Sequence, residues 1–316
     1  MSLTRYWSLC NNVIGRRAPA TLRRSLSATA FRPSKASTSN SLTAALCVIG
    51  DEILNGKTLD INSYFFAKRC FELGVAVEKI EVVPDTYAAI SSSVQSLSRS
   101  HDIVFTSGGI GPTHDDITYK AVGRAFGSSL EYHADTLARM RRIMSGTIAD
   151  PRGTAEQVAA ARMALFPAGA TVVYPCEEYW VPVVSVSGNV HIFPGIPKLF
   201  ENLVDAYLPS LVVNLSGDRT AVAFTRALVG VSRRESEIAP ILDQVQEQYA
   251  PMGVKIGSYP DWVPKQPKPD GNTPSDWKPP TVVVSVVGKD KEQVALCQAE
   301  LCQLLGGIDL GTSDKV

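Results

Sequence analysis

The stretch "FTSGGIGPTHDDITYKA", Phe105–Ala121, decides how this chain is read. An apolar run ends in three glycines and a proline, and two aspartates stand where a helix is due. Gly108, Gly109 and Gly111 carry no Cβ, so the backbone there can turn sharply and come close to a ligand. A helix starting near Thr113–Asp116 would expose free N–H groups and the positive end of its dipole, which suits a phosphate. One aspartate can cap that helix. A second carboxylate beside a phosphate repels it unless a divalent cation lies between them, and Mg²⁺ binds through one or two carboxylates plus substrate phosphates. "THDD" is therefore read as a cradle with a metal site. The competing reading is an N-cap with a favourable charge for the dipole, worth about 1 kcal/mol.

Working outward, "LTAALCVIG" (42–50) is a short apolar run expected as a buried strand. "DINSYFFAKRCFELG" (60–74) is expected as a helix, with Asp60 as N-cap, Ile61, Phe65 and Leu73 on one face, and Gly74 as its stop. "VAVEKIEVV" (75–83) alternates like a strand, a helix follows from Thr86, and "DIVFTSGG" and "DITYKAVGRAFG" form the next strand and helix. This β-α-β-α-β-α order implies a parallel sheet covered by helices on both faces. Ligands in such sheets sit beyond the carboxyl ends of the strands. Asp51 and Glu52 follow the first strand, Asp85 the second, and Asp115 and Asp116 the third, so all five are expected at one crevice. A metal there can polarise a phosphoryl oxygen and activate water. His114 is a possible ligand or a solvated loop residue, Asn55 and Asn62 possible ligand contacts or turn formers, and Lys120 a phosphate contact or a solvent-facing cation.

Farther along, residues 131–162 are expected to be helical, with strands at 181–186 and 190–193, and Pro194–Pro197 opening the last helix of the domain. From Thr220 the order becomes β-α-β-β-α, a small second unit. Its two later strands flank a proline-rich loop, 260–280, holding Trp262 and Trp277.

Residues 1–40 contain seven basic residues, no acid, and many Ser and Ala, the composition of a mitochondrial transit peptide or a disordered basic tail. Removing those seven from 31 leaves 24 basic against 31 acidic residues in the rest. An acidic body argues against nucleic acid as the main partner. No later stretch of about 18 apolar residues occurs, so no membrane span is expected. The six cysteines form no CxxC pair and fit no zinc spacing; Cys47 and Cys70 lie in apolar and amphipathic runs and read as buried thiols.

The segments "IGDEILNG" (49–56), 60–74, "VVPDT" (82–86) and "TSGGIGPTHDDITYKAV" (106–122) together resemble the molybdopterin-binding domain superfamily, in particular the branch of bacterial CinA proteins and the N-terminal domain of eukaryotic FAD synthase. "ARMALFPAGA" (161–170), "NVHIFPGIPKLFE" (189–201) and "KIGSYPDW" (255–262) look more like the FAD synthase branch, whereas "YPCEEYWVPVVSVSG" (174–188) departs from the bacterial one. The resemblance implies a MogA/MoaB-like α/β domain over 41–212, a three-layer fold with a parallel-rich sheet and helices on both faces. It also implies a small KH-like α+β domain over 213–316, here without a basic GxxG loop for RNA. It implies a metal-dependent pyrophosphatase acting on FAD or ADP-ribose, using Mg²⁺ or Co²⁺ and K⁺, in a homo-oligomer. Asp85 and Asp116 match the family's key acidic positions, with Asp115 as a further metal ligand; Asp51, Asn62, Gly108, Gly109, Gly111, Thr113 and Thr118 match pocket positions. No segment resembles the PAPS-reductase-like domain that makes FAD or the bacterial deamidase domain, so neither activity is expected of these residues. The expected function is hydrolysis of a nucleotide diphosphate, FAD to FMN and AMP foremost, in the mitochondrial matrix. The alternatives are a molybdopterin-binding or adenylyl-transfer protein, and a flavin-nucleotide binder without catalysis.

Overall fold

The computed structural model describes residues 41–144, 149–217, 222–260 and 281–312. The segment expected to target the protein, 1–40, and Trp262 and Trp277 of the proline-rich loop lie outside them. Two compact units divide the chain. One takes the chain through Cys70 together with Ala76–Gly217; the other takes Phe71–Val75 and the chain from Asp218 on.

The first unit is built on a six-stranded sheet. Strands β1 (Thr43–Ile49), β2 (Ala76–Val83), β3 (Ile103–Ser107), β6 (Thr171–Val173), β7 (Val183–Val186) and β8 (Val190–Phe193) lie in the order β2-β1-β3-β8-β7-β6. The first four in that order are parallel, and β7 and β6 run antiparallel at one edge. Every residue of β1 is buried, the pattern of an inner strand covered on both faces and the reason its sequence is continuously apolar.

A one-turn helix, α1 (Asp51–Leu54), follows β1, and each face of the sheet has its own helices. Ala45, Cys47 and Ile49 of β1 share a core with Ile90, Val94 and Leu97 of α3 (Tyr87–Ser100) and with Tyr119, Ala121 and Val122 of α4 (Thr118–Ala125). On the opposite face Phe105 packs on Phe66 of α2 (Asn62–Glu72), with ring centroids 5.0 Å apart, and Phe193 packs on Phe200 of α7 (Pro197–Ser216) at 5.7 Å. His191 sits inside this second layer. Its Nδ1 lies 2.7 Å from the Ser185 hydroxyl and 3.1 Å from that of Tyr207, and burial pushes its pKa down to about 3. Cys47 and Cys70 are buried and free.

Several local expectations are corrected. The buried face of α2 is Asn62, Phe66 and Cys70, not Ile61, Phe65 and Leu73; Ile61 is 42% exposed. The register is set from the helix start, where Asp60 accepts the Ser63 N–H at 3.0 Å and Asn62 turns inward. Within 131–162 the helices are α5 (Ala134–Ile143) and α6 (Ala155–Ala161). The expected helix start at 131 is instead part of β4 (Leu130–Tyr132), which pairs with β5 (Leu165–Pro167) in a two-stranded ribbon. Proline stands at the N-terminus of α7, as its fixed φ favours, but α7 runs to Ser216, so a boundary at 212/213 falls inside it.

The second unit contains β9 (Thr225–Val231), α8 (Glu235–Tyr249), β10 (Lys255–Pro260), β11 (Val282–Gly288), α9 (Lys291–Leu305) and β12 (Ile308–Thr312). Its sheet is antiparallel, in the order β10-β11-β9-β12, and its core joins β9 and β11 to Ile238, Val245, Val294 and Leu301. β12, "IDLGT", is wholly exposed and contains glycine, so no apolar alternation marks it in the sequence.

Candidate functional site

Strands β1, β2, β3 and β8 are parallel, so their carboxyl ends gather at one edge of the sheet. Four hydrogen bonds stitch that edge together. The Asp51 N–H donates to Asp85 Oδ2 at 2.9 Å, joining the ends of β1 and β2. Asn62 Nδ2 donates to Ser107 Oγ and to the Gly195 carbonyl, each at 2.9 Å, joining α2 to the ends of β3 and β8. The Gly108 N–H donates to the Phe193 carbonyl at 3.2 Å.

The glycines serve this geometry in a more specific way than the sequence indicates. Gly108 has φ +109°, and a Cβ there would lie 2.2 Å from the Ile49 carbonyl oxygen. Gly109 has φ +65° and leaves room for the Thr118 hydroxyl, which donates to the Gly108 carbonyl at 2.9 Å. Both are demanded by the bend and by its seat against β1. Gly111 makes room for a carboxylate: an added Cβ would stand 2.5 Å from Asp116 Oδ2.

That carboxylate corrects the expected helix start. α4 begins at Thr118, with Ile117 at the N-cap position and no side-chain cap, rather than near Thr113–Asp116. Asp116 folds back into the loop instead. Its Oδ2 accepts the Thr113 N–H at 2.9 Å and the Thr113 hydroxyl at 2.5 Å, while Asp115 Oδ1 lies 2.6 Å from the same hydroxyl. A local side-chain-to-backbone turn thus takes the place of a helical one. Residues 108–117 form a loop whose carboxylates are held by Thr113, and the Thr118 N–H is used within the loop, bonding the Gly109 carbonyl at 3.0 Å.

The electrostatics separate the acids. Partial burial raises the Asp85 carboxyl above the usual carboxylate range, the charges of Asp51, Glu52 and Asp115 push it the same way, and the Asp51 N–H opposes them. Asp115 is exposed, and the Thr113 hydroxyl with its own backbone N–H lowers its pKa. No lysine or arginine pairs with Asp51, Glu52, Asp85 or Asp115 among the described residues. His114, with a side chain 97% exposed, is 4.0 Å from Asp115.

Asp51, Asp85 and Asp115 therefore share one electrostatic field, whereas Asp116 is engaged by Thr113 next to them. Among the described residues, no three His, Cys, Asp or Glu side chains are grouped as ligands of a single ion. These residues fit a cation held by one or two carboxylates and completed by substrate oxygens, and not a closed protein cage. Asn62 is an inner brace; its Oδ1 is buried without a partner, an acceptor facing the junction of three elements. Asn55 is exposed and accepts the Lys57 N–H in a turn. Ser107 and Gly195 were not singled out by the sequence reading. The available signal was a glycine just past β1, β3 and β8 alike, at Gly50, Gly108 and Gly195.

Among the described residues no helix is long and apolar enough to cross a membrane. Comparison with known proteins divides the chain in two. Residues 45–212 match the family described as "Probable molybdopterin binding domain", and residues 223–310 match "FAD synthase, middle domain". The chain is 33% identical over 232 residues to "Probable FAD synthase" of Caenorhabditis elegans, covering 69% of this chain and 44% of that one, so it spans less than half the length of this relative. It is 33% identical over 226 residues to a protein of Pyrococcus abyssi, covering 69% of this chain and 84% of that one. A solved structure of CinA of Thermoplasma acidophilum, described as of unknown function, aligns with 55% of this chain and 99% of its own at 28% identity and a TM-score of 0.48. The segment after residue 222 is similar to the middle domain of FAD synthases, and the chain belongs to the molybdopterin-binding domain family.

Proposed function

We propose that this protein is a nucleotide pyrophosphatase that hydrolyses the diphosphate bond of a flavin dinucleotide, FAD and water giving FMN and AMP, with ADP-ribose-type dinucleotides as related substrates. The observation that carries this reading is the place of Asp85, whose carboxylate accepts the Asp51 N–H at 2.9 Å where the ends of β1 and β2 meet. Its carboxyl is raised among Asp51, Glu52 and Asp115, at the strand ends where a ligand of such a sheet binds. A diphosphate brings further negative charge to that edge, and the two coexist only when a cation lies between them. The FAD synthase middle domain and the FAD synthase relatives support a flavin nucleotide as the substrate.

In this reading Asp85 and Asp116 would hold a divalent ion, Mg²⁺ or Co²⁺, with Asp115 alongside. Such an ion neutralises phosphoryl oxygens and makes water a stronger nucleophile near neutral pH. The residues of the chain do the rest. The bend at Gly108–Thr113 brings backbone close to the diphosphate. Thr113 orients both Asp115 and Asp116. Asn62 keeps the ends of β3 and β8 at fixed spacing and presents its free Oδ1. The acid-free, arginine-rich first forty residues support import into mitochondria.

The test is chromatography of FAD, ADP-ribose and NADH after incubation with purified protein and Mg²⁺ or Co²⁺. Release of AMP from at least one, abolished in Asp116→Asn, is the expected result. Absence of cleavage of all three overturns the hydrolase reading. The family match at 45–212 favours a second reading, binding of molybdopterin with adenylyl transfer. Retention of molybdopterin in a calorimetric titration, without nucleotide hydrolysis, distinguishes it.

A further inference from the structure

A second feature of the first unit lies outside the crevice. On α5, Asp135, Ala138, Arg139 and Arg142 fall at i, i+3, i+4 and i+7, the spacing of a single helix face. Together with Tyr174 they line an open pocket of about 470 Å³, roomy enough to admit a small ligand. The Arg139 guanidinium lies over the Tyr174 ring, 3.9 Å from its centroid. The ring is anchored in turn, because the Tyr174 hydroxyl lies 2.6 Å from that of Thr136, a fully buried residue whose side chain also meets His133 Nδ1 at 2.9 Å.

An arginine on an exposed helix face ordinarily spreads its N–H groups into water. Arg139 does not: its Nη1 is buried and has no hydrogen-bond partner among the described residues. Neither Arg139 nor Arg142 forms an ion pair among the described residues. The Tyr174 face holds the guanidinium in place, and among the described residues no carboxylate meets the rest of its fork, which is left to take an acceptor from the pocket. Its planar fork matches the oxygens of a phosphate, and a second arginine one turn on adds charge from the same side. Asp135 leaves the lining with a single net positive charge and offers an acceptor to ligand hydroxyl groups.

We propose that this pocket is a binding site for a phosphomonoester that also carries hydroxyl groups, of the size of a nucleoside monophosphate. Arg139 and Arg142 grip the phosphate, Asp135 accepts from a hydroxyl, and the clamped Tyr174 ring forms the wall. The pocket shares no residue with the crevice and does not depend on the hydrolase reading.

The experiment is calorimetric titration of the full chain with AMP, inorganic phosphate and adenosine in the presence of EDTA. AMP is expected to bind and adenosine, which has no phosphate, is not. Arg142→Gln, an exposed substitution that leaves the fold intact, is expected to weaken AMP binding by about tenfold, the range of one charge-assisted hydrogen bond. Arg139→Gln should do the same; if it fails to fold, Arg142→Gln decides. Asp116→Asn should leave AMP affinity unchanged, which separates this site from the crevice. The proposal is overturned if AMP does not bind the wild type, if adenosine binds as tightly as AMP, if Arg142→Gln binds AMP as the wild type does, or if Asp116→Asn abolishes binding.

Discussion

The backbone N–H of Asp51 donates to the side chain of Asp85 at 2.9 Å, so the loops after β1 and β2 are joined by an acid whose partial burial, and then its acidic neighbours, resist its charging. The sign of that resistance gives a stability prediction. A carboxyl with a raised folded pKa binds more protons folded than unfolded in the window between the two values. Its favourable contribution is complete below the unfolded pKa and is lost as pH rises through the folded one. Asp85→Asn keeps an acceptor for Asp51 without the charge. At pH 7 its thermal midpoint should equal or exceed the wild type's, while turnover falls by about a hundredfold or more, the loss seen when one preorganised charge-stabilising group is removed. Differential scanning fluorimetry and product chromatography on the same preparation check both halves.

Two glycine substitutions should part company. Gly108→Ala sets a Cβ 2.2 Å from a backbone oxygen at a positive φ, so the strand end itself must move. A loss of about 2 kcal/mol or more is expected in urea unfolding. Gly111→Ala meets only the Asp116 carboxylate, a side chain that can swing away from Thr113. Stability should stay close to the wild type while activity falls, and Thr113→Val should reproduce the activity loss.

Asn62→Leu removes the two hydrogen bonds that hold Ser107 and Gly195 and leaves the Gly195 carbonyl unmatched. Losing buried partners costs about 1–3 kcal/mol. Hydrogen exchange should quicken first at the ends of β3 and β8, with KM rising because the edge of the crevice loosens.

His191 makes the protein acid-sensitive. Its folded pKa lies near 3, well below the ordinary histidine value of 6.5, because it is buried in the layer between β8 and α7. The unfolded chain takes up the proton first as pH falls, so stability is lost from about pH 6.5 downward. His191→Gln should lower stability at pH 7 but flatten its decline between pH 6.5 and 4, measured by thermal midpoints across that range.

A fluorescent fusion tests the address. Mitochondrial localisation is expected for the full chain and a diffuse signal after deletion of residues 1–40; an unchanged location after deletion contradicts it.

How much was legible in the sequence follows from the reach of the forces involved. β1 could be read from "TAALCVI", because an inner parallel strand is apolar on both faces. α3 was legible from the helical spacing of Ile90, Val94 and Leu97 after Thr86; that the Thr86 side chain caps it, accepting the Ala89 N–H, is seen only in the fold. The start of α4 was not, because Asp116 has two ways to satisfy nearby donors, and only the room left at Gly111 selects Thr113 over a helical cap. The face of α2 was missed because Asn62, a polar residue, points inward to partners 45 and 133 positions away. Such long-range pairing leaves no local periodicity to find. Five acids near the strand ends were visible beforehand; that Asp115 acts on Asp85 while Asp116 is held by Thr113 emerges only from the fold.

The central claim is that the acidic edge and a diphosphate share one cation, each incomplete without the other. Mn²⁺ binding followed by electron paramagnetic resonance, with and without a non-hydrolysable methylene analogue of the dinucleotide, tests it directly. The account predicts that the analogue tightens Mn²⁺ binding by about tenfold or more, since substrate oxygens supply the missing ligands, and that Asp85→Asn removes the gain. Equal Mn²⁺ affinity with and without the analogue would contradict it.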